Sequence, residues 1–132
     1  MTQGLGIDIV CISEFAKICG DPDSAFVKNH FTVGESNYAE KSAGTAASHL
    51  AVRYAAKEAV IKALESMHLF RPALLKHVDY REIEVVNDPN GRPYVIFYGA
   101  LQKIVQELKV KSLLSLSHDG DYALAEVILE TA

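Results

Sequence analysis

The stretch Arg53-Tyr54-Ala55-Ala56-Lys57-Glu58-Ala59-Val60-Ile61-Lys62-Ala63-Leu64 sets four charges among alanines and aliphatics. The pattern is that of the middle of a buried helix, where charged side chains are rare unless paired. On a helix Glu58 and Lys62 fall one turn apart on one face, and Arg53 and Lys57 repeat that spacing further round. A carboxylate beside several cations, backed by small side chains, is what a metal-bridged phosphate requires. Asp8, between Ile7 and Ile9 in a strand-like run, offers a second carboxylate. Hard divalent ions such as Mg²⁺ take oxygen ligands, often one or two carboxylates completed by phosphates and water. Asp8 and Glu58 are therefore the candidate metal ligands.

Each of these residues also has a plainer role. Asp8 can bond a nearby backbone group or arginine, and Glu58 with Lys62 can be a surface pair. Arg53, Lys57 and Lys62 can be solvated cations whose stems cover the core. As phosphate ligands, Lys acts as a point charge and Arg grips an oxyanion bidentately. One or two of the three in that role are expected rather than all three. His118 closes the run Leu114-Ser115-Leu116-Ser117, and alternation places it with Leu114 and Leu116, opposite both serines. A structural imidazole and a catalytic one both fit that position. Asn90-Gly91-Arg92-Pro93 is first a turn, with Arg92 protruding towards a possible ligand. His30, His49, His68 and His77 show no metal-ligand spacing.

The elements that must position these groups are readable. Residues 4–10 form a strand, and Ser13 caps a short helix over Glu14 to Cys19 that Gly20 closes. Asp21-Pro22-Asp23 is a loop. Thr32-Val33-Gly34-Glu35 matches a capping box opening a helix to about Lys41. After a break at Ser42 to Thr45, a long helix runs from about Ala46 to Ser66. Residues 67–81 read as irregular, with Pro72 as a breaker. Glu82 to Asn87 and Pro93 to Tyr98 are strands joined by Asp88-Pro89-Asn90-Gly91. A helix follows over Ala100 to Lys109, then a second hairpin, Ser112 to Ser117 and Tyr122 to Glu130, across His118-Asp119-Gly120-Asp121. The expected class is α+β in one domain, 1–132, with a small antiparallel sheet packed against a long central helix.

The 132 residues suffice for one core. Thirteen Lys plus Arg against seventeen Asp plus Glu leave a net charge of -4, which speaks against a nucleic-acid partner. Cys11 and Cys19 are read as buried, reduced thiols. No leader or membrane-spanning run is seen, so the expected compartment is the cytoplasm, without membrane association.

In order along nearly the whole chain, these segments resemble the holo-acyl-carrier-protein synthase family, the short 4′-phosphopantetheinyl transferases of bacteria. The matching pieces are Gly6-Ile7-Asp8-Ile9-Val10, Phe31-Thr32 with Glu35, the Arg53 to Ala63 segment, Ile83-Glu84-Val85 with Gly91-Arg92-Pro93, and Ser115-Leu116-Ser117-His118-Asp119. The resemblance implies transfer of the phosphopantetheine arm of coenzyme A to a serine of an acyl carrier protein, or of a carrier domain of a fatty acid synthase. The by-product is adenosine 3′,5′-bisphosphate. It implies that Asp8 and Glu58 hold Mg²⁺ against the pyrophosphate, with Lys62 and His118 as further catalytic groups near the phosphates. Coenzyme A is expected on Arg53, Lys57, Lys62, Ser117 and His118, with Gly91, Arg92 and Pro93 bordering its adenine end. Short members of the family are trimers with active sites between subunits, so a homotrimer is expected here. The serine proton goes either to Glu58 or to a metal-bound water.

Two departures from the family pattern stand out. Glu14 replaces an arginine that engages the acidic carrier in many members, leaving Lys17 nearby. Glu65-Ser66-Met67-His68 replaces a Gly-Thr-Gly loop that touches coenzyme A. Two other functions share the same residues: a metal-dependent nucleotide diphosphate hydrolase, and a non-catalytic binding module of the same fold.

Overall fold

The computed structural model describes residues 1–21, 23–69 and 75–132. The chain opens with β1 (Gln3–Cys11), followed by α1 (Ile12–Cys19), α2 (Ala25–His30), α3 (Val33–Lys41) and α4 (Ala46–Ser66). A 3₁₀ turn, Tyr80–Glu82, leads into β2 (Ile83–Asn87) and β3 (Pro93–Phe97). Then come α5 (Gly99–Glu107), β4 (Lys111–Asp119) and β5 (Tyr122–Glu130). The strands form two antiparallel sheets, a three-stranded one in the order β1-β5-β4 and the β2-β3 hairpin. The class is α+β.

Helix α4 is the axis of the molecule. Thr45 starts it, its hydroxyl accepting the Ser48 N–H at 3.1 Å. Ala51, Ala55, Ala56, Ala59 and Ala63 are completely buried, as expected of a helix packed on nearly all sides. Its C-terminal half joins Val60 and Leu64 to Ile83, Val85, Val127 and Leu129 in one core. Its N-terminal half joins Leu50 and Val52 to Phe15, Val27 and Phe31 in a second.

One close approach sets up the site. Gly4 and Gly6 face α4 from β1, and a Cβ on either would strike the backbone carbonyl of Ala63 or Ala59. Strand alternation makes Asp8 the next residue on that face, the first there to carry a side chain. Across the sheet Asp8 is in register with Ala125 and Leu116.

The structure departs from the sequence reading in several places. Helix α1 begins at Ile12, two residues early, and Ser13 does not cap it. Instead the Ser13 hydroxyl donates to Asp121 Oδ2 at 2.5 Å, tying α1 to the β4–β5 turn. Helix α2 was not expected; the Ser24 hydroxyl accepts the Val27 N–H at 3.2 Å to start it. Glu82 belongs to the 3₁₀ turn rather than to β2, and β4 runs on through His118 and Asp119 to a tighter turn. Cys11 is only half-buried and donates to Asp121 at 3.2 Å. The Pro22 and Pro72 readings lie outside the described residues, and Leu75 and Lys76 are helical within the stretch read as irregular. The Thr32–Glu35 capping box is present in both directions.

Candidate active site

Asp8, Glu58 and Lys62 meet where β1 crosses α4. Lys62 Nζ donates to Asp8 Oδ1 at 3.0 Å and to the Ile7 carbonyl at 3.1 Å. The Asp8 side chain is largely shielded at 18% exposure, whereas Lys62 keeps half of its surface in solvent. Burial holds the Asp8 carboxyl above its ordinary range; Lys62 opposes that shift and the nearby Glu58 charge adds to it. Glu58 Oε1 accepts the Tyr80 hydroxyl at 2.6 Å.

Tyr54 and Tyr80 flank the carboxylate with rings 5.7 Å apart and nearly parallel at 11°. Burial, reinforced by Glu58, pushes Tyr54 up to about 12 and Tyr80 well above the phenol range. Both phenols therefore remain protonated donors near neutral pH.

The donor set fits a hard divalent ion. Two mutually repelling, partly desolvated carboxylates stand together, and one oxygen of each is engaged by Lys62 or Tyr80. Among the described residues no cluster of three or more His, Cys, Asp or Glu could hold a metal. Such an ion would draw its remaining ligands from substrate phosphate and water, the usual habit of Mg²⁺.

Lys57, expected among the coenzyme-binding cations, is not one of them. It is completely buried, and Nζ donates to Glu35 Oε1 at 2.7 Å, the Tyr80 carbonyl at 2.8 Å and the Ile83 carbonyl at 2.5 Å. An ammonium has three N–H groups, and all three are used. Glu35 in turn accepts the backbone N–H of Thr32 at 3.0 Å and of Val85 at 3.0 Å. The pair bolts α3, α4 and β2 together.

Arg53 lies at a second place. Its guanidinium covers the Tyr38 ring at 4.2 Å and donates to Asn87 Oδ1 at 2.8 Å and the His49 carbonyl at 3.3 Å. Its buried Nε has no partner among the described residues. Arg53, Asn87, Gly91, Pro93, Ser115 and His118 line a cleft of about 350 Å³. Four of the expected coenzyme contacts are thus brought together by α4, the β2–β3 turn and β4. Arg92 is not with them: its side chain is exposed and paired to Asp88 at 3.0 Å within the turn. Ser117 is absent from that lining, although its neighbours Leu116 and His118 belong to it. Neither Asp8, Glu58 nor Lys62 borders the cleft. At about 100° per residue Glu58 lies roughly 140° round α4 from Arg53.

Sequence reasoning missed Tyr80, Tyr54 and Tyr38. Tyr54 is adjacent to a charged motif and could have been flagged as an aromatic with a polar tip on a core helix. Tyr80 and Tyr38 carry no local signal, since their roles exist only across elements.

Known proteins match over nearly the whole chain. A family model described as the 4′-phosphopantetheinyl transferase superfamily covers residues 4–127. The holo-[acyl-carrier-protein] synthase of Mycobacterium ulcerans is 43% identical over 129 residues, 98% of this chain and 97% of that protein. A solved Chronobacterium ammoniagenes ACPS–CoA complex superposes with a TM-score of 0.86 at 35% identity, covering 100% of this chain and 99% of that one. A Bacillus anthracis holo-(acyl-carrier-protein) synthase in complex with CoA (3′,5′-ADP) gives a TM-score of 0.74 at 31% identity, over 98% and 96% of the two chains.

Proposed function

The chain belongs to the 4′-phosphopantetheinyl transferase superfamily, and from that premise we propose how it moves the phosphopantetheine arm of coenzyme A onto a serine of an acyl carrier protein. The reaction converts apo carrier to holo carrier and serves fatty acid biosynthesis. The serine oxygen bonds to the β-phosphorus, the bond to the bridging oxygen breaks, and adenosine 3′,5′-bisphosphate leaves with that oxygen. The observation that carries the reading is the convergence of Asp8, Glu58 and Lys62 at the β1–α4 crossing.

Such a transfer asks little covalent chemistry of the protein; positioning and charge stabilisation dominate. Asp8 and Glu58 would hold Mg²⁺, which when bound neutralises charge on the diphosphate. Lys62, anchored on Asp8 and the Ile7 carbonyl yet half in solvent, presents a cation to the leaving phosphate. Glu58 can take the serine proton or orient the water that does. Arg53 and His118 bind the nucleotide end of coenzyme A in the cleft bordered by Gly91 and Pro93.

The two clusters occupy different sides of α4, which supports a site completed between subunits of a homotrimer. The sheet face turned away from α4 supports the same assembly. Leu5, Ile7 and Ile9 on β1 are each more than half exposed, with Leu113, Leu124 and Ile128 exposed beside them. A contiguous apolar face of this kind marks an interaction surface. Residues 1–132 act as a single transferase domain. Among the described residues no helix is long and apolar enough to cross a membrane, and the two free thiols favour a cytoplasmic location. Glu14 and Lys17, exposed on α1, leave a less basic surface for docking, which suits either a free carrier protein or a carrier domain of a synthase.

Mass spectrometry of candidate carriers after incubation with coenzyme A and Mg²⁺ tests the function. The expected result is a gain equal to one phosphopantetheine arm on a single serine. Bisphosphate release at the same rate without any carrier would instead make the chain a hydrolase.

A further inference from the structure

We infer that Tyr80 is a positioning residue for Glu58, and that the buried Lys57–Glu35 pair transmits its rigidity to the reacting face through it. The inference rests on the metal-ligand reading of Glu58 given above. Lys57 and Glu58 are adjacent in α4, so their side chains leave the helix about 100° apart. Both nevertheless end on the same residue. Lys57 Nζ grips the Tyr80 backbone carbonyl at 2.8 Å, and Glu58 Oε1 receives the Tyr80 phenol at 2.6 Å. The result is a closed loop of contacts from one turn of α4 out to Tyr80 and back.

The phenol is held from several directions. Lys57 is itself fixed by Glu35 at 2.7 Å and by the Ile83 carbonyl at 2.5 Å, so the Tyr80 backbone is pinned to a charge that cannot move. The Tyr80 ring stacks on Tyr54 at 5.7 Å and meets the edge of His30 at 5.0 Å. A carboxylate on a flexible side chain otherwise samples several rotamers, and each bond from a rigid donor removes some of that freedom. Groups behind a metal ligand orient it, and their loss typically weakens metal affinity or activity by roughly 10–100-fold. Lys57 thus reaches the chemistry without touching substrate, and Tyr80 is the link.

Tyr80→Phe tests this cleanly, because it keeps the ring, its stacking and the carbonyl held by Lys57. Mn²⁺ binding would be followed by electron paramagnetic resonance with saturating coenzyme A and no carrier, beside a thermal melt and with Glu58→Ala as control. Expected are about a tenfold weaker Mn²⁺ dissociation constant for Tyr80→Phe, an unchanged melt, and a larger loss for Glu58→Ala. Wild-type Mn²⁺ affinity in Tyr80→Phe with loss in Glu58→Ala overturns the positioning role while the metal site stands. Wild-type affinity in Glu58→Ala overturns the metal reading and this inference with it. A Tyr80→Phe protein that melts far below wild type makes the phenol a structural group and also overturns the inference.

Discussion

Lys57 and Lys62 lie on the same helix and end on the same kind of partner, a carboxylate, yet they differ in exposure and in how fully their donors are answered. Lys57 and Glu35 have no side-chain exposure, and every donor of the ammonium is answered by protein oxygen. Lys62 holds Asp8 at 3.0 Å but keeps half its surface in water, and Asp8 remains harder to ionise than an ordinary aspartate. One flank of α4 is saturated and the other is left wanting a positive charge. The difference teaches that a charged residue in a buried helix identifies a site only when its neighbours leave it unsatisfied. A finished ion pair is architecture; an unfinished one is where a ligand enters.

The sharpest way to break the comparison is to remove the open flank. Asp8→Ala or Glu58→Ala should lower turnover by about 10³-fold or more, the scale of losing a principal charge-stabilising group, with little change in the melt. Steady-state rates across a Mg²⁺ titration check this, and near-normal rates at limiting Mg²⁺ would remove both residues from metal binding. The saturated flank should respond in the reverse sense. Lys57→Met strands the Glu35 carboxylate in the core and should cost about 3–5 kcal/mol by denaturant unfolding. Adding Glu35→Leu should recover only part of that loss, because the Thr32 and Val85 N–H groups lose their acceptor. Lys62→Ala should lie between these: turnover about 10² lower, in line with loss of one electrostatic stabiliser, and unfolding nearly unchanged because an exposed pair contributes little.

These contrasts also mark how far the sequence could be read. The bounds of α4 were legible because Thr45 is a capping residue and an alanine-rich run follows it to Ser66. Asp8 was legible as a carboxylate in an otherwise apolar strand. Helix α2, with six residues, is too short for apolar periodicity to register, and its cap at Ser24 carries no distinctive signal beside Asp23. The separate fates of Lys57 and Lys62 were not legible at all. Helical spacing assigns each to a face, but only packing decides that one face meets Glu35 and β2 while the other meets β1. The pairing of Arg92 was not legible either, since the turn sequence does not reveal that Asp88 turns back to meet it. Tyr80 depends on a contact with a residue 22 positions away.

The smallest effect is the most discriminating about the open flank. Asp8 is held above the ordinary aspartate range, first by burial and further by Glu58, with Lys62 opposing. The folded protein thus binds the Asp8 proton more tightly than the unfolded chain does. Stability from this group is gained as pH falls towards the carboxylate range and is lost as pH rises through the folded value. At neutral pH the ionised carboxylate is therefore a net strain on the apo-protein, retained for binding rather than for folding. Asp8→Asn should melt slightly above wild type at pH 7 while losing turnover, and that advantage should vanish on acidification below the raised value. Saturating Mg²⁺ should raise the wild-type midpoint and leave Asp8→Asn unmoved, since only a protein that binds the ion gains from it. If Asp8→Asn instead melts lower at pH 7, the Lys62 bond outweighs burial and the Glu58 repulsion, and the open flank is as self-sufficient as the closed one.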